Sequence, residues 1–419
     1  MRLAIVGAGW AGLSAAVDAV AAGHAVTLFE ASRHLGGRAR ALPVRLPDGR
    51  TATLDNGQHI FVGAYRETLA MMRAVGIDPQ QVLTRMPLTL RFPDGRGLAL
   101  PNWPAPLDAA AGILGAKGWT VRDKLSLLRA ASRWRADAFQ CPPTTTVGDL
   151  CHALTATVVS GVIEPLCIAA LNTPMHRASG EVFLRILGDT LFEPGGSNLL
   201  LPRGDLGALF PDKAAQWLRA RGADIRLARP VQTLAVREGG WLVDGERFEG
   251  VLLACPPTDA ARLVAQTGAS QWADVARGLG HEAIATVYAS GGPRLALPLL
   301  ALRTREQRPA QFVFDRAQLG APEGVLAFVV SACTGDREIV QAQVIAQAHE
   351  LGWSSVQPLQ TVVEKRATFA CTPGLHRPPP LIAPGLAACG DYVLGPYPAT
   401  IEGAVRSARA AVAGLGPLT

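Results

Sequence analysis

The first thirty residues constrain the fold most. An apolar run, Leu3-Ala4-Ile5-Val6, leads directly into Gly7-Ala8-Gly9-Trp10-Ala11-Gly12. An Ala-rich stretch follows, and then Val26-Thr27-Leu28-Phe29-Glu30, whose acid stands 18 positions after Gly12. This is the order strand, Gly-x-Gly-x-x-Gly, helix, strand, acid, and each part has a task in holding a dinucleotide. Gly7 permits the tight turn, Gly9 lets the backbone approach a pyrophosphate, and Gly12 lets helix and strand pack closely. The helix N-terminus offers free N–H groups and partial positive charge to phosphates. Glu30 is placed to accept hydrogen bonds from a ribose diol. Residues 3–22 are apolar enough to imitate a leader peptide, but Asp18 interrupts them and no small-residue cleavage site precedes the Glu30 strand.

A chain of 419 residues has room for a substantial core and two structural domains. Beyond the N-terminal stretch, no segment approaches the roughly 20 apolar residues that span a bilayer. The net charge is +6, yet Lys117, Lys124, Lys213 and Lys365 are the only lysines and the arginines are scattered. A polyanion site needs a block of cations, so nucleic acid is not an expected partner. The seven cysteines show neither Cys-x-x-Cys nor zinc-like spacing with histidine, so no metal site is expected and a reducing cytoplasm is.

The rest of the chain alternates between two kinds of pattern. Residues 65–75 and 121–138 read as amphipathic helices, and 147–190 as helical with a break at Asn172-Thr173-Pro174. Nucleotide-domain signals then return. A helix is expected over 206–221, strands over 224–227 and 231–236, and a buried strand at 251–255 that ends at Pro256-Pro257. Short strands and one helix near 336–351 fill 282–365. Leu386-Ala387-Ala388-Cys389-Gly390-Asp391 and a helix from Thr400 close the chain. The pattern predicts an α/β protein with a Rossmann-type domain built from 1–64, 196–260 and 366–419. Interleaved with it is a mixed α+β substrate domain built from 65–195 and 261–365.

Four features set far apart now coincide: the fingerprint with Glu30, Gly36-Gly37-Arg38, Val231 in a late strand, and Gly390-Asp391 before the last helix. Together they resemble the FAD-dependent amine oxidase and phytoene desaturase superfamily along essentially the whole chain. The resemblance implies FAD as cofactor. It places Gly7, Gly9 and Gly12 around the pyrophosphate, Glu30 on the adenosine ribose, and Gly37 and Arg38 on the flavin side. The Val231 backbone would face the adenine, Gly390 and Asp391 the ribityl or pyrophosphate region, and Thr400 and Ile401 the flavin pyrimidine edge. A helix N-terminus suits that edge, which carries negative charge when the flavin is reduced.

Within the superfamily, Asp55-Asn56-Gly57-Gln58-His59-Ile60-Phe61-Val62-Gly63-Ala64-Tyr65, Cys389-Gly390-Asp391-Tyr392 and Tyr397-Pro398-Ala399-Thr400-Ile401-Glu402-Gly403-Ala404 resemble the hydroxysqualene dehydroxylases of hopanoid biosynthesis. That resemblance implies reductive removal of a hydroxyl from hydroxysqualene, a C30 isoprenoid, to give squalene. His59 and Asp55 are the candidate catalytic residues: Asp55 protonated by burial, or holding His59 in its charged form. The alternative for Asp55-Asn56-Gly57 is a turn that only shapes a loop. Glu402 is expected to cap or pair, Tyr392 and Tyr397 to face the flavin or close a packed turn, and Arg40 to meet phosphate or solvent. His24, His152, His176 and His281 are expected to be structural.

A water-insoluble substrate implies peripheral contact with the inner face of a membrane, for which Trp103, Leu114, Lys117 and Trp119 in residues 100–119 are the candidate surface, with 295–300 a second. No second Gly-x-Gly-x-x-Gly is present, so an external electron donor such as NADPH takes an unmarked site. The competing readings are an isoprenoid desaturase or an amine or porphyrinogen oxidase on the same fold, and a non-enzymatic escort of prenyl lipids.

Overall fold

The computed structural model describes residues 1–415. Strand β1 (Arg2–Val6), helix α1 (Trp10–Ala21) and strand β2 (Ala25–Phe29) form the expected opening unit. β1 lies inside a six-stranded sheet, with β2 and Asp224–Arg226 to one side and Gly250–Leu253, Leu386–Ala388 and Leu381–Ala383 to the other. All neighbours in this sheet run parallel except the last pair. A parallel sheet is covered on both faces, which is why Leu3–Val6 and Val251–Leu253 are uninterrupted apolar runs and wholly buried. One cover is α1 against the last helix, Ile401–Gly414, where Leu13 and Val17 share a core with Val405 and Ala408.

Two sequence expectations in this region are corrected. The helix over 206–221 is two pieces, Leu206–Leu209 and Pro211–Arg219. Pro211 has no N–H to continue the first piece, and its fixed φ suits the first turn of the second. Val231 is not in a strand; the strand is Leu234–Arg237, and Val231 sits in the loop leading to it.

The other half of the molecule pairs a sheet with a helical layer. The sheet order is Leu299–Ala301, Phe312–Asp315, Leu326–Ser331, His281–Ser290, Gln357–Phe369, all antiparallel. Short strands were expected, but the last two have 10 and 13 residues. Strand Gln357–Phe369 also runs across the 365/366 domain boundary read from the sequence. Alternation divides the sheet's faces. Ala285, Val287, Phe328 and Val330 pack with Val340 and Val344 of helix Arg337–Glu350. The residues between them, Ile284, Thr286, Val329 and Ser331, point the other way. Opposite that second face stand helices Glu164–Leu171 and Gly180–Leu191, separated by the expected break, with Asn172 left-handed at φ 46°. Among the described residues, no helix is long and apolar enough to cross a membrane.

Candidate functional site

The fingerprint glycines are fixed by what a side chain would strike. Gly7 is left-handed at φ +107°, and a Cβ there would stand 2.7 Å from the Ala254 carbonyl oxygen. A Cβ at Gly12 would stand 1.8 Å from the Gly7 oxygen, so this turn of α1 packs against the loop only as glycine. Gly9 differs: a Cβ there would meet nothing nearer than the Gly37 Cα at 3.9 Å. Gly9 and Gly37 thus face each other across a narrow cleft, and Gly9 bridges to Gly36 as an isolated parallel pair. At the end of β2, Glu30 accepts from the Ala8 N–H at 2.7 Å and the Ser32 N–H at 2.8 Å, tying the fingerprint loop to the second strand.

This cleft is one end of a cavity of about 730 Å3. Gly7, Gly9, Trp10, Glu30, Gly37, Arg38, Val231, Gly390, Asp391, Thr400 and Ile401 all line it; Gly12 lies behind, in the helix. Arg38 donates to Asp391 at 2.7 Å and to the Ala367 carbonyl at 2.5 Å, joining the early loop to the C-terminal segment and to the second sheet. The Val231 carbonyl is held by Arg262 at 2.8 Å. Thr400 caps the last helix, accepting from the Gly403 N–H at 2.9 Å, and the turn before it is strained, with Tyr397 and Ala399 at φ 57° and 58°. Such conformations persist where surrounding structure holds them, often at ligand sites.

The far end of the same cavity is apolar. Helix Gly180–Leu191 contributes Phe183, Ile186, Leu187 and Thr190, spaced as one helical face. Leu166 and Ile168 come from the preceding helix, and Ile284, Phe312, Phe314 and Val329 from the sheet's inner face. Register explains the last group: Val329 pairs with Thr286 on one side and Phe312 on the other, so all three side chains share a face.

Between the two ends runs Asn56-Gly57-Gln58-His59, all lining the cavity. Burial, with the Arg38 charge added, pushes the His59 imidazole down to about 4, so it is neutral at pH 7. Asp55 does not line the cavity, and its carboxylate is turned away from His59. It accepts from the Leu206 N–H at 2.7 Å and stands 3.4 Å from Arg316, both side chains being 2% exposed. Burial raises its carboxyl to about 6, outweighing the pull of Arg316. Arg316 also donates to Gln58 and to the Gly204 carbonyl, and Tyr288 accepts from Gln58 at 2.8 Å while donating to the Asp55 carbonyl at 2.8 Å. The picture of Asp55 holding a charged His59 is therefore corrected: Asp55 belongs to a buried network that fixes the loop from behind.

The protein offers a built site for a dinucleotide cofactor: a cleft where Gly9 and Gly37 leave room, arginines along its length, and two unpartnered polar groups on residues that line it. These are the Trp10 indole N–H and the Tyr392 hydroxyl, buried without a hydrogen-bond partner among the described residues. Comparison with known proteins agrees. The family model described as flavin containing amine oxidoreductase matches residues 10–415. The chain belongs to that family.

It is an FAD-dependent oxidoreductase. The chain is 27% identical to a hydroxysqualene dehydroxylase of Sinorhizobium fredii, over 96% of this chain and 95% of that one. It is 26% identical to the Rhodopseudomonas palustris hydroxysqualene dehydroxylase, with the same coverage. Among solved structures, an oxidoreductase from Methanosarcina mazei superposes with a TM-score of 0.75 at 14% identity, covering 98% of this chain and 99% of that one.

Several other side chains settle within this family member. Glu402 is fully buried and accepts from the Glu67 and Thr68 N–H groups, capping helix Arg66–Ala74, and it pairs with Arg406. Tyr392, Tyr397 and Arg40 all line the cavity. His281, expected to be structural, lines it as well. Burial and Arg38 lower its imidazole too. Arg316 and Tyr288 drew no attention in the sequence, and Gln58 only as part of the 55–65 segment, because their partners lie far along the chain.

Proposed function

We propose that the chain is a reductive dehydroxylase of a C30 isoprenoid alcohol, converting hydroxysqualene to squalene. The observation that carries this reading is the single cavity running from the Gly9–Gly37 cleft into the chamber of Leu166, Phe183, Leu187, Phe312 and Val329. An amine or a porphyrinogen needs polar partners at the reacting end; a long hydrocarbon needs a dry wall.

The reaction breaks a C–O bond, forms a C–H bond, and releases water, consuming a hydride and a proton. Reduced FAD supplies the hydride when bound. The chain's own part is to orient the alcohol, assist its departure and keep water from recapturing the cation left behind. The apolar chamber does the last. Loop 56–59, braced by Arg316 and Tyr288, presents His59 toward the cavity as a hydrogen-bonding partner for the alcohol. In the geometry described, burial first and the Arg38 charge second keep His59 a neutral imidazole, so it offers the alcohol a hydrogen bond rather than a positive charge.

Substrate arrival from a bilayer is part of the proposal. Trp103, Leu107, Leu114 and Val121 are 59%, 62%, 59% and 73% exposed, a run of bare apolar groups on one loop, both ends of one helix and the start of the next. Isolated exposed apolar residues are ordinary, but a series along one segment marks an interaction surface. Vesicle sedimentation checks it: a Trp103→Asp/Leu114→Asp protein should stay in the supernatant, and equal pelleting with wild type rejects this surface. For the reaction itself, product analysis decides. Hydroxysqualene incubated with reductant and protein should yield squalene; no product with reductant present, or the same yield without it, overturns the assignment.

A further inference from the structure

A second cavity, also of about 730 Å3, lies beyond the chamber wall, and Ile168 and Ser331 line both. Four cations line it, Arg96, Lys117, Arg303 and Arg305, against one carboxylate, Glu164. Arg303 is committed: it pairs with Asp94 at 2.8 Å and lies over the Phe92 ring at 4.5 Å. Arg96, Lys117 and Arg305 make no salt bridge among the described residues. From this cavity we infer a site for the phosphate of an anionic phospholipid headgroup, at the place where the substrate leaves the bilayer. The inference rests on the isoprenoid reading above.

The cations are brought together by backbone rather than by chance extension. Arg96 sits on the turn between strands Thr89–Arg91 and Gly97–Ala99, and Gly97 exchanges two 3.0 Å hydrogen bonds with Lys117, fixing the two loops side by side. Arg305 stands on a turn closed by its backbone pair with Arg308. The cavity's inner wall includes Ser160 and Gly161 from a π-helical turn, Val159–Ile163, a form that recurs at functional sites. A Cβ on Gly161 would meet only the Trp119 indole nitrogen, at 3.9 Å, so the wall is open where the tryptophan stands.

Three uncommitted cations around one cavity repel one another, and an anion relieves that repulsion. What surrounds them selects the anion's source. Lys117 and Trp119 continue directly from helix Leu107–Leu114, whose Leu107 and Leu114 are bare, to Val121 at the start of the next helix. A free phosphate gains nothing from apolar neighbours, whereas a phospholipid brings acyl chains to meet them. A headgroup held here would set the membrane-facing loops flush with the leaflet and the chamber wall just beneath.

The test compares vesicle binding of the FAD-loaded full chain with three variants, on phosphatidylcholine vesicles and on the same vesicles with anionic phosphatidylglycerol added. One variant carries Arg96→Gln, Lys117→Gln and Arg305→Gln. A control removes equal charge from the nucleotide-binding half, with Lys213→Gln, Arg219→Gln and Arg237→Gln. A third carries Leu114→Asp. At about fivefold per surface cation, the first should lose about 100-fold in partition to anionic vesicles and nothing to neutral ones. The control should lose a few-fold at most, and Leu114→Asp should weaken binding to both vesicle types. Equal losses in the first variant and the control, or wild-type binding by the first, overturn the headgroup site. Squalene formation in detergent, where no leaflet is needed, reads the dehydroxylase assignment separately.

Discussion

Replacing Arg316 with methionine probes the buried network behind loop 56–59, and its cost follows from the charges. Asp55's carboxyl is raised to about 6 in the folded chain, against about 4 when unfolded. Burial therefore favours its protonated form. The stability this group contributes is complete below its unfolded value and is lost as pH rises through about 6, a swing of roughly 3 kcal/mol. Arg316 limits that loss by attracting the carboxylate at 3.4 Å, and both side chains are almost wholly buried. Without it, Asp55 at pH 8 is a buried charge with only the Leu206 N–H for company, a situation that costs about 3–5 kcal/mol. At pH 5 Asp55 is mostly protonated and the pair matters less, so the loss should shrink to about 1 kcal/mol from the missing bonds to Gln58 and Gly204. Arg316→Met with Asp55→Asn should recover most of the stability, since no charge remains and the Leu206 N–H keeps an acceptor. Thermal unfolding followed by fluorescence at pH 5 and pH 8 measures all of this, with a fall of roughly 5 °C expected for the single variant at pH 8. A loss equal at both pH values, or a double variant no better than the single, would refute the reasoning.

Other consequences are more direct. Glu30→Ala removes the group at the end of β2 that ties down Ala8 and faces the cavity, so the purified protein should be folded by circular dichroism but colourless; retained flavin absorbance would contradict the cradle assignment. His59→Ala should keep its flavin and lose about tenfold in kcat, one hydrogen bond to the alcohol, and a KM-only effect would place His59 outside the reaction. Glu402→Ala deprives the Glu67 and Thr68 N–H groups of their buried acceptor. It should destabilise by about 2–4 kcal/mol in denaturant melts, while a value near zero would mean helix Arg66–Ala74 is capped otherwise.

How much of this was legible in the chain depends on how local each constraint is. The opening βαβ unit is written in neighbouring residues: an apolar run, glycines at fixed spacing, and an acid at the next strand's end. The break at Asn172 and the cap at Thr400 are equally local. The buried sheet strand near 251 was readable because parallel strands are apolar on both faces. By contrast, Phe312, Phe314 and Val329 look like ordinary alternating core, and only register with neighbouring strands turns them into a chamber wall. Asp55 was read with His59 because they are close in sequence; its true partners, Arg316 and Leu206, arrive from distant segments. His281 carried no signal beyond being one histidine at a strand's start, yet it lines the cavity. The helix over 206–221 was lengthened across Pro211, where weighting the missing N–H would have split it.

The central claim is that reduced flavin in this cradle hands its electrons to an isoprenoid alcohol in the adjoining chamber. Anaerobic mixing tests it most directly: protein whose flavin has been photoreduced is combined with hydroxysqualene, and the flavin spectrum is followed while squalene is quantified. The account predicts that the oxidised flavin spectrum returns, with one squalene formed for each flavin reoxidised. Flavin that stays reduced in the presence of hydroxysqualene, or an oxidised protein that bleaches when given squalene, would contradict it.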